Sequence, residues 1–274
     1  QFALLGVIFT MLSALVLFSL KQQSDQIEFS KQELVGVEYI QPIRQLLQFI
    51  PQHRGMTNAY INGDASFKSR ILQTQHKLDE LFDLAQTIDK ELNAKLDTTK
   101  KFTPILNDWN TLKHSALTMR AEQSFDAHSA LIEKILALII HAGDTSNLIL
   151  DPELGSFYAM DLVINKLPAL VEYMGQTRGL GTGLITKGKV DQAHAFHMTE
   201  LKVGVNVNYK GSLNSYRSGA AFDDRLKQRL GPLAEDVERI IGDFILSVDK
   251  VRIGDIDNLT AKAFFAEGSQ GINK

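Results

Sequence analysis

The chain has 274 residues, a formal net charge of −3 at pH 7 and no cysteine. Its 29 basic and 32 acidic side chains are interspersed, so no basic block or aromatic-rich basic stripe marks a nucleic-acid partner. Without cysteine there is neither a disulfide framework nor a CxxCH site for covalent haem.

From Phe2 to Leu20 no residue is charged, and Lys21 ends the run. At about 1.5 Å per residue, such a helix covers roughly 28 Å, close to the hydrocarbon thickness of a bilayer. A cleaved signal peptide would have a shorter apolar region and a small-x-small cleavage site, and the residues around Lys21 offer none. The segment 1–20 is therefore expected to be a transmembrane helix, with 21–274 as a folded region outside it.

About 250 residues follow, with six prolines in the whole chain and no low-complexity linker. Their periodicity is helical. Leu78, Leu81, Ala85, Ile88 and Leu92 step by three and four, as do Leu226, Leu230, Leu233, Val237, Ile240 and Phe244. Residues 125–140 form a more apolar, central helix. Alternating strands are lacking, and Asn62-Gly63 lies between helical patterns, which excludes a hairpin there. Asp64 and Asp151-Pro152-Glu153 read as helix caps. The pattern predicts eight helices, at 22–61, 65–97, 102–120, 124–147, 152–187, 189–215, 219–248 and 256–272. The expected fold is all-α: an elongated antiparallel helical bundle, or two stacked four-helix bundles, below the N-terminal transmembrane helix.

A self-match at an offset of 124 residues divides the region into halves of about 21–147 and 148–274. Gln52-His53-Arg54-Gly55 is matched by Gln176-Thr177-Arg178-Gly179. Ile43, Leu47, Ile50, Arg54, Thr57 and Ile61 correspond to Leu167, Val171, Met174, Arg178, Gly181 and Ile185. Each arginine thus lies in line with the apolar seam of its own helix. A buried guanidinium needs an anionic or strongly accepting partner, since it cannot deprotonate. That partner is either a carboxylate on a neighbouring helix or a small anion entering between helices. Gly55, Gly179, Gly181 and Gly183 lower helix propensity by about 1 kcal/mol each and admit close approach, by a ligand or by another backbone.

Other candidates are weaker. His194 and His197 lie three apart but lack a carboxylate-rich company for a metal, and His53 is rotated about 100° from Arg54. Ser146 and Ser156 lack a nucleophile elbow. The glycines at 179, 181 and 183 follow no strand and precede no Gly-Lys-Ser/Thr, which argues against a phosphate loop. Tyr60 and Tyr173 could line a pocket or pack in a core. No cofactor and no metal are expected, and no convergent acid–base set suggests an enzyme.

The stretch Glu33-Leu34-Val35-Gly36, Pro42 and Gln52-His53-Arg54-Gly55, with Asp151-Pro152-Glu153-Leu154, Leu167-Pro168 and Gln176-Thr177-Arg178-Gly179, resembles periplasmic sensor modules of bacterial chemoreceptors. The nearest kind is the nitrate- and nitrite-sensing all-helical domain, with helical bimodular sensors of small organic acids as neighbours. The resemblance covers both motif helices. It implies a receptor of the inner membrane, of chemotaxis type, with residues 21–274 in the periplasm, working as a homodimer. It also implies a small anionic ligand held between two helices by one arginine from each, here Arg54 and Arg178, with Gly55, Gly179, Gln52 and Gln176 beside them. The alternative is a helical scaffold that binds a partner protein, its arginines closed in internal ion pairs.

Overall fold

The computed structural model describes residues 2–150 and 153–273, apart from the side chains of residues 3–5, 7 and 8. Among the described residues the fold is all-α, with nine α-helices and no strand. They are α1 (Phe2–Ile61), α2 (Lys68–Leu96), α3 (Thr99–Ser115), α4 (Ala121–Thr145), α5 (Leu154–Asp161), α6 (Leu167–Lys187), α7 (Gln192–Ala220), α8 (Asp224–Ile253) and α9 (Ala261–Ile272).

Two four-helix groups account for most of the packing. The upper part of α1 packs on α2 and α4, which close through α3; α6 packs on α7 and α9, which close through α8. The two groups meet mainly where α1 lies against α6, and the short α5 rests on α7. Each group buries its own apolar seam. The first is built around Tyr39, Ile43, Leu78, Phe82, Ile105, Trp109, Ile132 and Ile135. The second is built around Met198, Val205, Phe244, Val248, Val251 and Phe264.

Helix α1 runs unbroken for 60 residues, about 90 Å, through Pro42 and Pro51. From Phe9 to Leu34 its residues are mostly exposed, including Met11, Leu12, Leu15, Leu17 and Phe18. The segment 2–20, expected to span a membrane, includes side chains outside the description. Among the described residues no helix is long and apolar enough to cross a membrane.

The helix expected over 152–187 is not continuous. Its proposed cap at Asp151-Pro152 lies outside the described residues, and Leu162–Lys166 forms a π-helical turn between α5 and α6. There the Leu167 N–H donates to the Leu162 carbonyl, five residues back. Pro168, which has no N–H to continue the α-pattern, follows at once. Both oxygens of buried Asp89 accept hydroxyls, from Tyr39 at 2.8 Å and Thr99 at 2.6 Å, tying α1, α2 and α3 together.

Candidate functional site

The α1–α6 contact is built on glycine. A Cβ added at Gly55 or Gly179 would stand 3.5 Å from the other's Cα, so the two helices touch backbone to backbone. A Cβ on Gly181 would collide with the Phe264 ring, and one on Gly183 with the Asn58 amide. Asn58 uses that amide to donate to the Gly179 carbonyl at 2.8 Å. Close packing therefore accounts for all four glycines.

Arg54 and Arg178 are both fully buried. Each guanidinium lies over a phenylalanine of the last helix of its own bundle: Arg54 is 4.9 Å from the Phe125 centroid and Arg178 is 4.6 Å from that of Phe265. Each donates from Nη1 to a serine one turn beyond that ring, Ser129 at 2.8 Å and Ser269 at 2.9 Å. Both serines in turn donate to the carbonyl of their own phenylalanine, residue i−4. The arginine repeat thus has a companion, Phe-x-x-x-Ser, at an offset of 140 residues between α4 and α9.

The two arginines differ in what else they meet. Arg54 makes a two-pronged ion pair with Glu172 of α6, Nη1 to Oε1 at 2.7 Å and Nη2 to Oε2 at 3.1 Å. Gly175 clears the path, since a Cβ there would stand 3.0 Å from Arg54 Nη2. Gln176 also donates to Glu172 Oε1, at 2.6 Å. Arg178 has no ion pair among the described residues, and its Nε and Nη2 are buried without a hydrogen-bond partner. Burial, together with the neighbouring charge of Arg54, pushes Arg178 down to about 9, which leaves it a cation at neutral pH.

Of the expected site residues, the structure brings Arg54, Arg178, Gly55, Gly179 and Gln176 to the α1–α6 contact. Gln52 points elsewhere, donating to Asn273 at 3.5 Å. Tyr173 packs on Gly204 of α7, and Tyr60 on a small cluster around Met56 and Phe67. The residues not anticipated are Glu172, Phe125, Ser129, Phe265 and Ser269. A signal was present for two kinds of them: Glu172 is the sole acid between Leu167 and Lys187, and the Phe-x-x-x-Ser pair repeats. A cavity of about 430 Å³ lies lower between the bundles, lined by Leu47, Leu162, Val171, Met174, Leu213 and Leu233 among others, and neither arginine lines it.

His53 and His128 form a second buried polar chain beside Arg54. His128 Nδ1 lies 2.5 Å from the Ser124 carbonyl and must donate to it, which leaves its Nε2 to accept from His53 Nδ1 at 2.7 Å. His53 Nε2 then accepts from Gln75 at 3.1 Å. Every ring nitrogen is satisfied with both rings neutral, and burial pushes the two histidines below their ordinary range, His53 to about 4. Among the described residues there is no group of three or more His, Cys, Asp or Glu that could hold a metal.

A family model described as nitrate and nitrite sensing matches residues 45–273, which include both arginine motifs and both Phe-x-x-x-Ser pairs. The chain belongs to this family. It is a family of sensing domains. No curated protein and no solved structure matches the chain.

Proposed function

We propose that this nitrate- and nitrite-sensing-family chain is the extracytoplasmic sensor region of a membrane-anchored receptor and carries no catalytic activity of its own. Its ligand is a small oxyanion, nitrate, nitrite or a short carboxylate, recognised at Arg178 beside Arg54. The observation that carries the reading is Arg178 itself: a fully buried guanidinium with two nitrogens unpartnered and, among the described residues, no ion pair. A planar oxyanion supplies the two acceptors that Nε and Nη2 lack, in the paired geometry a guanidinium prefers. Because the site joins α1 to α6, an anion that binds one relative position of these helices better than another shifts their equilibrium. Helix α1 then carries the displacement along its length.

The membrane part of the reading rests on the uncharged run 2–20 and on Phe9, Met11, Leu12, Leu15, Val16, Leu17 and Phe18 within it, which are exposed around the helix. A reporter fused after residue 60 should be active only if it is of the kind that works after export. The bimodular organisation rests on the paired repeats. Arg54, closed by Glu172, gives some support to a purely structural bundle that docks a protein, whereas Arg178 does not.

Calorimetric titration with nitrate, nitrite, acetate, malate and citrate tests the site. Binding of at least one by the wild type, lost in Arg178→Ala with folding retained, supports it. A wild type that binds none of the five refutes it.

A further inference from the structure

We infer that Glu172 sets the selectivity of this site, acting as a tethered competitor for Arg54 and restricting the free ligand to a monovalent anion. The inference rests on the anion-sensing reading above. The carboxylate is 6% exposed and lies edge-on to Arg54, at 2.7 and 3.1 Å, where a planar oxyanion would otherwise dock. Nitrate presents the same two-oxygen edge as a carboxylate, so Glu172 fills half of a two-arginine site from within the chain. Gln176, at 2.6 Å, steadies it there.

The charge count follows from the same geometry. Two buried guanidinium groups face one carboxylate, which leaves one positive charge to be balanced in a desolvated place. His53 and His128 are neutral, and Arg70, which reaches over Phe265, is exposed and screened by solvent. One monovalent anion on Arg178 closes the count. A divalent one would leave an uncompensated negative charge beside Glu172, which a buried site penalises. The same residue explains why Arg54 keeps one unpartnered nitrogen, Nε, whereas Arg178 keeps two, Nε and Nη2.

Two variants of the whole chain separate tether from charge. Glu172→Gln removes both; Glu172→Asp keeps the charge but is one methylene too short for the two-pronged contact. Nitrate and sulfate are the probes, read by calorimetry, with melting curves as the control for folding. We expect Glu172→Gln to bind nitrate about tenfold more tightly than the wild type, or more, and to acquire sulfate binding. Glu172→Asp should gain on nitrate and still refuse sulfate. Nitrate binding that is unchanged or weakened in both variants, or a nitrate-to-sulfate preference the same in all three proteins, overturns the role of Glu172. If the wild type and both variants refuse nitrate and sulfate but bind one of the carboxylates, the inference fails and the sensing reading stands. If they bind none of nitrate, nitrite, acetate, malate, citrate and sulfate, the sensing reading itself fails. A wild type that binds none of the anions while the variants do refutes the sensing reading on which the inference rests.

Discussion

Glu172 holds Arg54 through both carboxylate oxygens, at 2.7 and 3.1 Å, whereas Arg178, one repeat further along, has no such ion pair among the described residues and donates to the Ser269 hydroxyl. The asymmetry traces to a single pair of positions. At the 124-residue offset, Glu172 corresponds to Gln48, and Gln48 donates to Asn273 at 3.2 Å. An acid in one half and an amide in the other break a site that is otherwise duplicated down to its phenylalanine and serine.

The first prediction is that alanine acts oppositely at the two arginines. Arg54→Ala strands the Glu172 carboxylate in a place 6% exposed and should cost about 3–5 kcal/mol of stability. Arg178→Ala strands no carboxylate and removes a buried, underpartnered cation, so its melting temperature should hold or rise. Arg178→Lys should keep the charge and recover anion binding only in part, because the ammonium lacks the planar fork. Thermal melts beside calorimetry decide this. Equal destabilisation by both alanines would contradict the asymmetry.

The all-α class, both arginines and their register could be read from the sequence because they follow apolar periodicity and a repeat. The identity of each arginine's partner could not. Glu172 adjoins Val171 in an otherwise apolar run, and nothing local says that Gly175 lets Arg54 reach across to it. Whether the glycines served a ligand or a backbone was likewise open, since either use needs the same missing Cβ. The break in the helix expected over 152–187 depends on how Pro168 is accommodated, and a π turn leaves no periodic trace.

The His53–His128 pair predicts acid sensitivity. His53 titrates near 4 in the folded chain against 6.5 when unfolded, and His128 is likewise lowered. Above pH 6.5 both states leave the rings neutral and the pair's contribution is fully present. As pH falls from 6.5 towards 4, the unfolded chain takes up protons that the folded one refuses, and stability declines. His53 alone should account for about 3 kcal/mol of that loss. Urea unfolding at intervals from pH 7 to 4 measures it, and the doubly substituted H53Q/H128Q chain should show a shallower decline over the same range. An identical slope would remove the pair from the explanation.

Gly183→Ala should destabilise the α1–α6 contact, even though alanine favours a helix over glycine by about 1 kcal/mol. The added Cβ collides with the Asn58 amide, which must give up its hydrogen bond to the Gly179 carbonyl or shift the helix. Overpacking of this kind costs about 1–3 kcal/mol, so the net effect should be a loss. Gly242→Ala on α8, where the new Cβ meets nothing within 4 Å, is the control and should be neutral or stabilising. A melting temperature raised equally by both would show that α1 and α6 have room to spare.

The last prediction concerns the exposed length of α1. Where this helix enters the first bundle, Val35, Tyr39, Ile40 and Ile43 face inward, and Gln32 donates to the carbonyls of Lys95 and Thr145. Leu20, Ile27 and Leu34 stand at heptad spacing and are 57%, 56% and 67% exposed. An apolar seam of period seven on a helix surface is the pattern that pairs with another helix. We expect the partner to be α1 of a second copy, which gives a two-fold dimer with like residues opposed across the axis. The chain contains no cysteine, so single substitutions report without background. Ile27→Cys and Leu34→Cys in the chain expressed with its segment 1–20 should form intermolecular disulfides readily. Asp25→Cys and Gln32→Cys, about 200° around the helix from them, should not. Equal cross-linking at all four positions would indicate random collision, and none at 27 or 34 would remove α1 as the dimer seam.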